Sequence, residues 1–295
     1  MARIEAGVRE TERANARVFL VGLCVFLALM LGFPTIANLW YSFSNVSIYD
    51  LAGTAFVGFA NYVQAASNPN MWAALGFSLK FAVICTVLEV GLGLAMVFIL
   101  HPILTKRPWL TGILMLPMMV SPALMGVMYR LILNEFTGIV PAYLSMMGLP
   151  INLLGRNWIY ETVIAIEVLQ WTPFAFLIML TARQSLAGEL EEAAAVDGAT
   201  GAKFGRLIAL PVILPSIIIV AFIRFIDSFR VFDHIFVLTG GGPGNETTSI
   251  SIYIYKLFFT QSKIGEAVAV SVMLLIASLA LLYAALRLAV RRNPA

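Results

Sequence analysis

Four ionisable residues interrupt stretches that are otherwise apolar: Glu89, Glu167, Arg224 and Asp227. A charge in the middle of a bilayer is expensive, so such residues pair, face a cavity or carry a function. Spacing groups them with neighbours. Glu167, Gln170, Trp171 and Phe174 run i, i+3, i+4, i+7 and share one helical face. Arg224, Asp227 and Ser228 share a face of a second helix. Carboxylates, an amide, a hydroxyl and a guanidinium supply the donors and acceptors that a polyhydroxyl ligand needs. An indole stacks on the apolar face of a sugar ring. A structural reading competes: Arg224 and Asp227, at i and i+3, neutralise each other and glue helices together. The stripe Phe222, Phe225, Phe229, Phe232 and Phe236 lies about 120° around from the polar face and reads as packing or lipid contact.

Catalytic patterns are missing from the sequence. It holds no nucleophile elbow, no metalloprotease helix and no Asp pair placed for intramembrane proteolysis. His101 and His234 are isolated, and no Cys/His cluster has metal-ligand spacing. Cys24 and Cys85 lie in apolar runs and read as small buried hydrophobes. The glycines of "LTGGGPGNETTS" (Leu238–Ser249) lack the Gly-Lys-Ser/Thr of a phosphate loop, and a flexible turn is expected there. The chemistry is that of moving something, not of making or breaking bonds.

The elements that must hold these residues are membrane helices. The chain has 295 residues, 60% of them hydrophobic and 12% charged, and its mean hydropathy is +0.91. A spanning helix needs about 20 mostly apolar residues, and six segments qualify: Arg17–Tyr41, Leu79–Leu100, Trp109–Leu133, Trp158–Ala182, Pro211–Phe232 and Ile264–Leu288. The expected fold is all-α and polytopic. The first span is too long for a signal-peptide core and lacks a clear cleavage site, so it reads as retained. "FVGFANYVQ" (Phe56–Gln64) and Gly138–Gly155 are amphipathic and aromatic, as interfacial segments or short helices are. Lys and Arg set orientation. Twelve fall in the N-terminus, the 101–108 loop, the 183–206 segment and the C-terminus; five fall on the opposite side. Both termini and the 183–210 loop are expected in the cytoplasm. A net charge of +3 warrants no nucleic-acid reading.

That loop contains "EEAAAVDGATGAKFGRLIALP" (Glu191–Pro211). Alanines favour a short helix over Gly188–Val196, and Asp197-Gly198 should end it with a left-handed cap. A second short helix is expected over Ala202–Ala209, with Phe204, Leu207 and Ile208 on one side, before Pro211 opens the next span. The elbow would present a small-residue surface, rimmed by Glu191, Glu192 and Asp197.

The spacing Glu192-Ala193-Ala194, three residues, Gly198, nine residues, Ile208-x-Leu210-Pro211 resembles the EAA motif of ABC-importer permeases at every defined position. Asp197 and Ala199 match its extended form. "FVGFANY", "FDHIFVLTGGGPGNETTS" and "IYIYKLFF" are similar to the carbohydrate-importer branch, the maltose-type permeases, and the likeness covers nearly the whole chain. The resemblance implies an inner-membrane, six-helix subunit that is not an enzyme. It works with a second permease subunit, two cytoplasmic ATPase copies and an extracytoplasmic substrate-binding protein, with lipid around it. It implies no cofactor in this chain, since ATP and Mg would be bound by the ATPase. In the family the EAA elbow couples to that ATPase, which assigns Glu192, Ala193, Ala194, Asp197, Gly198, Leu210 and Pro211 to docking. Sugar-contacting positions of the family, counted from the motif, fall on Glu167, Gln170, Trp171, Phe174, Arg224, Asp227 and Ser228. A looser match on the third span falls around Met118 to Ser121. Glu89 sits in "VLEVGLGLAMV", where Gly91 and Gly93 allow close helix approach; its expected state is burial with a hydrogen-bond partner from the other permease, with a pairing or gating role as the alternative.

The domain expectation is a tail over 1–16, a transmembrane domain over 17–290 with the coupling loop at 183–210, and a tail over 291–295. The expected function is half of the path for a sugar, sugar derivative or polyol. An arginine at 224 also admits an anionic cargo, such as a phosphate or sulfonate. An ion-coupled secondary transporter and a non-transporting receptor are the rival classes, and both leave the elbow unexplained.

Overall fold

The structure is a computed structural model that describes residues 17, 19–186 and 188–292. The expected tail at 1–16 lies outside the described residues, as do 293–295 of the tail expected at 291–295, whose first two residues end the last helix. Helices dominate. In chain order they are α1 (Phe19–Ser42), α2 (Ala60–Ser67), α3 (Pro69–Lys106), α4 (Trp109–Leu114), α5 (Leu116–Met119), α6 (Pro122–Ile132), α7 (Ile139–Met146), α8 (Ile159–Gln184), α9 (Gly188–Val196), α10 (Ala202–Phe204), α11 (Leu210–Phe229), α12 (Asp233–Thr239), α13 (Ile250–Tyr255) and α14 (Ile264–Arg292). One antiparallel hairpin, β1 (Ser44–Ser47) with β2 (Asp50–Phe56), has no counterpart in the sequence expectation.

The chain forms two compact units, 70–253 and 1–69 with 254–295. In the split unit, Val46 of the hairpin packs on Ile264, Val268 and Val272 of α14. The Asn61 amide donates to the carbonyls of Ser42 and Ser44 at 2.9 and 3.0 Å, tying α2 to the end of α1. The "FVGFANY" segment is therefore a strand end, a turn and a helix start.

The unit over 70–253 carries the candidate site. Its α8 is the central helix: 67% of its apolar window is buried, against 17% for the helical run over 205–239. Two apolar clusters surround it. One joins Phe81, Cys85, Ile159, Val163, Ile235 and Ile252. The other joins Val97, Phe176, Met179, Leu180 and Val220. Gly93 permits the second. A Cβ there would stand 2.9 Å from the backbone nitrogen of Phe176, so only hydrogen lets α3 approach α8 this closely. Gly91 faces open space.

Three expected spans differ in detail. Trp109–Leu133 is not one helix. Proline lacks a backbone N–H and pushes its predecessor out of the helical region. Ahead of Pro122, Val120 and Ser121 are accordingly extended, with ψ near 133° and 135°. The fifth span stops at Phe229, and α12 starts after a break. The carbonyls freed at that break are satisfied elsewhere. Ser251 donates to the Arg230 oxygen at 3.0 Å and Ser249 to that of Val231 at 2.6 Å. The aromatic stripe splits there as well: Phe225 stacks on Phe229, and Phe232 on Phe236. The second span is longer than expected. Its 38 residues run roughly 57 Å at about 1.5 Å per residue, well beyond the hydrocarbon core. The glycine-rich turn is cross-tied rather than loose: the Thr247 and Thr248 hydroxyls donate to the carbonyls of Gly242 and Gly241.

Candidate cargo site and coupling elbow

Arg224 stands where α3, α8 and α11 meet, 1% exposed. Its Nε donates to Glu89 Oε2 at 2.6 Å, and Nη2 donates to Glu89 Oε1 at 3.1 Å and to Glu167 Oε1 at 2.7 Å. The Ser228 hydroxyl donates to Glu167 Oε1 at 3.2 Å. His234 Nδ1 lies 3.6 Å from Glu167 Oε2. The guanidinium carbon sits 4.7 Å from the centroid of the Trp171 ring. Two buried carboxylates thus share one buried arginine. Bidentate pairing of this kind is strong and geometrically specific.

This arrangement corrects several expectations. Glu89 finds a partner within the chain, Arg224, where one from the other permease was expected. Arg224 is held mainly by Glu89 and Glu167; Asp227 Oδ2 is 3.8 Å away, and Asp227 pairs with Arg230 at 2.9 Å. His234 is not isolated. Gln170 is fully buried, and its Nε2 donates to the Val120 carbonyl at 2.8 Å. It holds the break in the third span, and its side chain is turned away from any open space.

A cleft of about 270 Å³ opens beside the network, with Trp171, Asp227, Arg230 and Pro122 among its lining. Glu167 and Arg224 contribute to its floor; Asp233 and His234 border it. Of the residues expected to touch cargo, Trp171 and Asp227 are half-buried and accessible, while Glu167, Gln170, Arg224 and Ser228 are buried. Phe174 is half-buried and meets the Trp171 ring edge-on at 6.4 Å, steadying the indole. Ser121 is exposed at the start of α6 and lies outside the cleft lining, where its neighbour Pro122 stands. Arg230, Asp233 and His234 were not anticipated. The i, i+3 relation of Asp227 to Arg230 was the signal for the first of them.

The elbow follows α8. Helix α9 covers the expected Gly188–Val196, and Gly198 caps it with φ +73°. The Ala199 N–H reaches the Ala194 carbonyl at 2.8 Å, and Gly198 N–H reaches that of Ala195 at 3.1 Å. This double bond pattern is the glycine-dependent helix end. The second helix is shorter than expected. It covers Ala202–Phe204, and a wide π turn over Gly205–Ala209 runs straight into α11. A wide turn accommodates Pro211, which has no N–H to donate. The extra residue also rotates the face: Phe204 is buried, whereas Leu207 is 59% exposed.

Ala194 faces inward, packing with Phe204 and Ala209. Glu192, Ala193, Ala195, Asp197 and Gly198 are exposed, and Val196 is 88% exposed. Leu210 and Pro211 form the first turn of α11; Leu210 is half-buried and Pro211 is exposed. A small apolar patch with an acidic rim is what a groove in a second protein can close around.

Residues 105–292 match the family model described as the binding-protein-dependent transport system inner membrane component. The chain belongs to this family. It is a multi-pass inner-membrane permease component and not an enzyme. It is 32% identical to the probable ABC transporter permease protein y4oQ of Sinorhizobium fredii, over 86% of this chain and 82% of the relative. It is 33% identical to the trehalose/maltose transport system permease protein MalF of Thermococcus litoralis, over 85% of each. A crystal structure of a bacterial ABC transporter involved in the import of the acidic polysaccharide alginate has the same fold. The TM-score is 0.82 over 96% of this chain and 98% of that one, at 22% identity. The matched permease segment holds Glu167, Arg224 and the whole elbow but not Glu89, which the N-terminal half supplies.

Proposed function

We propose that this permease forms half of the translocation path of an ATP-driven importer for a neutral sugar or polyol. An extracytoplasmic binding protein delivers the cargo. A second permease completes the path, and two copies of a cytoplasmic ATPase bind ATP and Mg and dock on the elbow. Both termini and the elbow face the cytoplasm. Relatives named for trehalose/maltose and trehalose transport support the carbohydrate class, and a solved neighbour captured with a pentasaccharide-bound periplasmic protein supports a binding-protein partner.

One observation carries the reading. Helices α8 and α11 border the cleft, are clamped to each other through Arg224 and Glu167, and are joined directly by the elbow. Force applied at α9 therefore reaches the two helices that border the cargo cleft. ATP shifts the population between inward- and outward-facing states by binding one better than the other.

Charge selects the cargo. The charge of Arg224 is balanced by Glu89 and Glu167, and Arg230 pairs with Asp227. With Asp233 also at the border, an anion would meet more carboxylate than guanidinium. Trp171 supplies a stacking surface, and Asp227, held by Arg230 through Oδ1, keeps Oδ2 as a hydroxyl acceptor.

The test is uptake by the reconstituted transporter of radiolabelled neutral disaccharides and their uronide counterparts. Asp227→Asn and Trp171→Ala should each weaken apparent affinity roughly tenfold, the scale of one lost charged hydrogen bond or stacking contact, with ATPase activity without cargo unchanged. Wild-type affinity in both variants would remove the site. Preferential uptake of the uronides would overturn the neutral cargo alone.

A further inference from the structure

Beneath the elbow lies a second cavity, of about 490 Å³, at the end of the spans where α3 and α8 leave the apolar layer. It is two-sided. On α3, Leu94, Phe98, His101 and Pro102 follow i, i+4, i+7, i+8 and line one wall, with Ile99 at its edge. Arg183 from the last turn of α8 and Arg206 from the turn before α11 supply positive charge, and Glu191 of α9 borders them.

Arg183 is the unusual element. Its side chain is only 8% exposed, and its guanidinium lies 4.9 Å over the Phe204 ring. Its carboxylate contact with Glu191 is long, 3.4 Å to either oxygen, and Glu191 is 57% exposed. Arg224, by contrast, holds its carboxylates at 2.6 and 2.7 Å. A nearly buried guanidinium with so loose a counter-ion favours a second, closer anion. The apolar residues above it run along α3 toward the middle of the span, and Ile99 is 69% exposed.

We propose that this cavity is a phospholipid site: Arg183 and Arg206, with His101 beside them, hold the phosphate of an anionic headgroup such as phosphatidylglycerol. An acyl chain lies along Leu94, Phe98 and Ile99. Glu191 is exposed enough to swing into water when the phosphate arrives. The lipid wedges between α3 and the elbow, so bilayer composition reaches the coupling segment. The proposal rests on the position of the cavity at the end of the spans and not on the identity of the cargo.

Native mass spectrometry of the whole transporter, released from nanodiscs of phosphatidylcholine with phosphatidylglycerol, tests it. Wild type should retain phosphatidylglycerol in preference to phosphatidylcholine. Arg206→Gln, at an exposed position that leaves folding intact, and Arg183→Gln should each lower that retention roughly fivefold, the scale of one basic side chain near an anionic surface. Ile99→Asn should lower lipid retention without changing the effect of inorganic phosphate on thermal stability. Equal retention in Arg206→Gln and Arg183→Gln overturns the site. Displacement of the lipid by millimolar inorganic phosphate identifies a soluble anion instead and overturns the lipid. Retention only after removal of the ATPase subunits shows that protein covers the cavity, which overturns it as well.

Discussion

At the scale of single residues, the side chains with the most chemical potential are mostly occupied in holding the fold. Glu89, Glu167, Gln170, Arg224 and Ser228 bond to one another or to backbone. Removing one member of a buried ion pair leaves its partner poorly compensated, so Glu89→Gln should lower stability by about 3 kcal/mol. It is read as a lower melting temperature of the purified transporter in detergent. Arg230→Ala breaks a pair whose arginine is 72% exposed, and the loss there should stay under about 1 kcal/mol. Equal melting temperatures for the two variants would contradict the buried clamp. Gln170→Leu should loosen the break at Val120, raising proteolytic sensitivity near Ser121 while leaving the elbow untouched. The face containing Glu167, Gln170, Trp171 and Phe174 was legible from spacing. Which members turn inward was not, because a helical face wider than its neighbour leaves some of its residues under the contact and some beside it.

Among the elements, two are held by single glycines. Gly93→Val should push α3 off α8, since its side chain would meet the Phe176 backbone nitrogen as well as the Met179 tip, and only the tip can move aside. Poor assembly and early melting are the expected result, and Gly91→Val, in open space, is the control. The elbow separates folding from docking. Ala194 is 5% exposed and Val196 is 88% exposed. Ala194→Trp should therefore disrupt the elbow itself and lower expression of the assembled transporter. Val196→Arg should leave expression and melting intact while uncoupling ATP hydrolysis from uptake. Normal coupled transport in Val196→Arg would remove α9 as the docking element. The short helix and its Gly198 cap were legible because alanine runs and a left-handed glycine are local preferences. The π turn before Pro211 was not, because its register depends on Phe204 and Ala209 finding Ala194.

For the whole molecule, orientation is the prediction that the distribution of Lys and Arg supports. With Cys24 and Cys85 replaced by alanine, a cysteine at Ala195 should react with a membrane-impermeant maleimide only in inside-out vesicles. One at Phe136, which is 90% exposed, should react only in right-side-out cells. The reverse pattern would invert the proposed topology and place the elbow out of reach of ATP. The membrane class, the elbow and the faces that carry polar groups were determined by the sequence itself, while the spans were placed only approximately: among the described residues four helices are long and apolar enough to cross a membrane, against the six expected. Each follows from hydropathy, charge and backbone preference over a few neighbouring residues. Tertiary structure alone decided that Glu89 and Arg224, 135 positions apart, neutralise each other, that Gln170 clamps a broken span, and that Trp171 and Asp227 stay accessible at the cleft. Those outcomes depend on which helices meet and how closely, and packing between distant segments leaves no periodic trace in the chain.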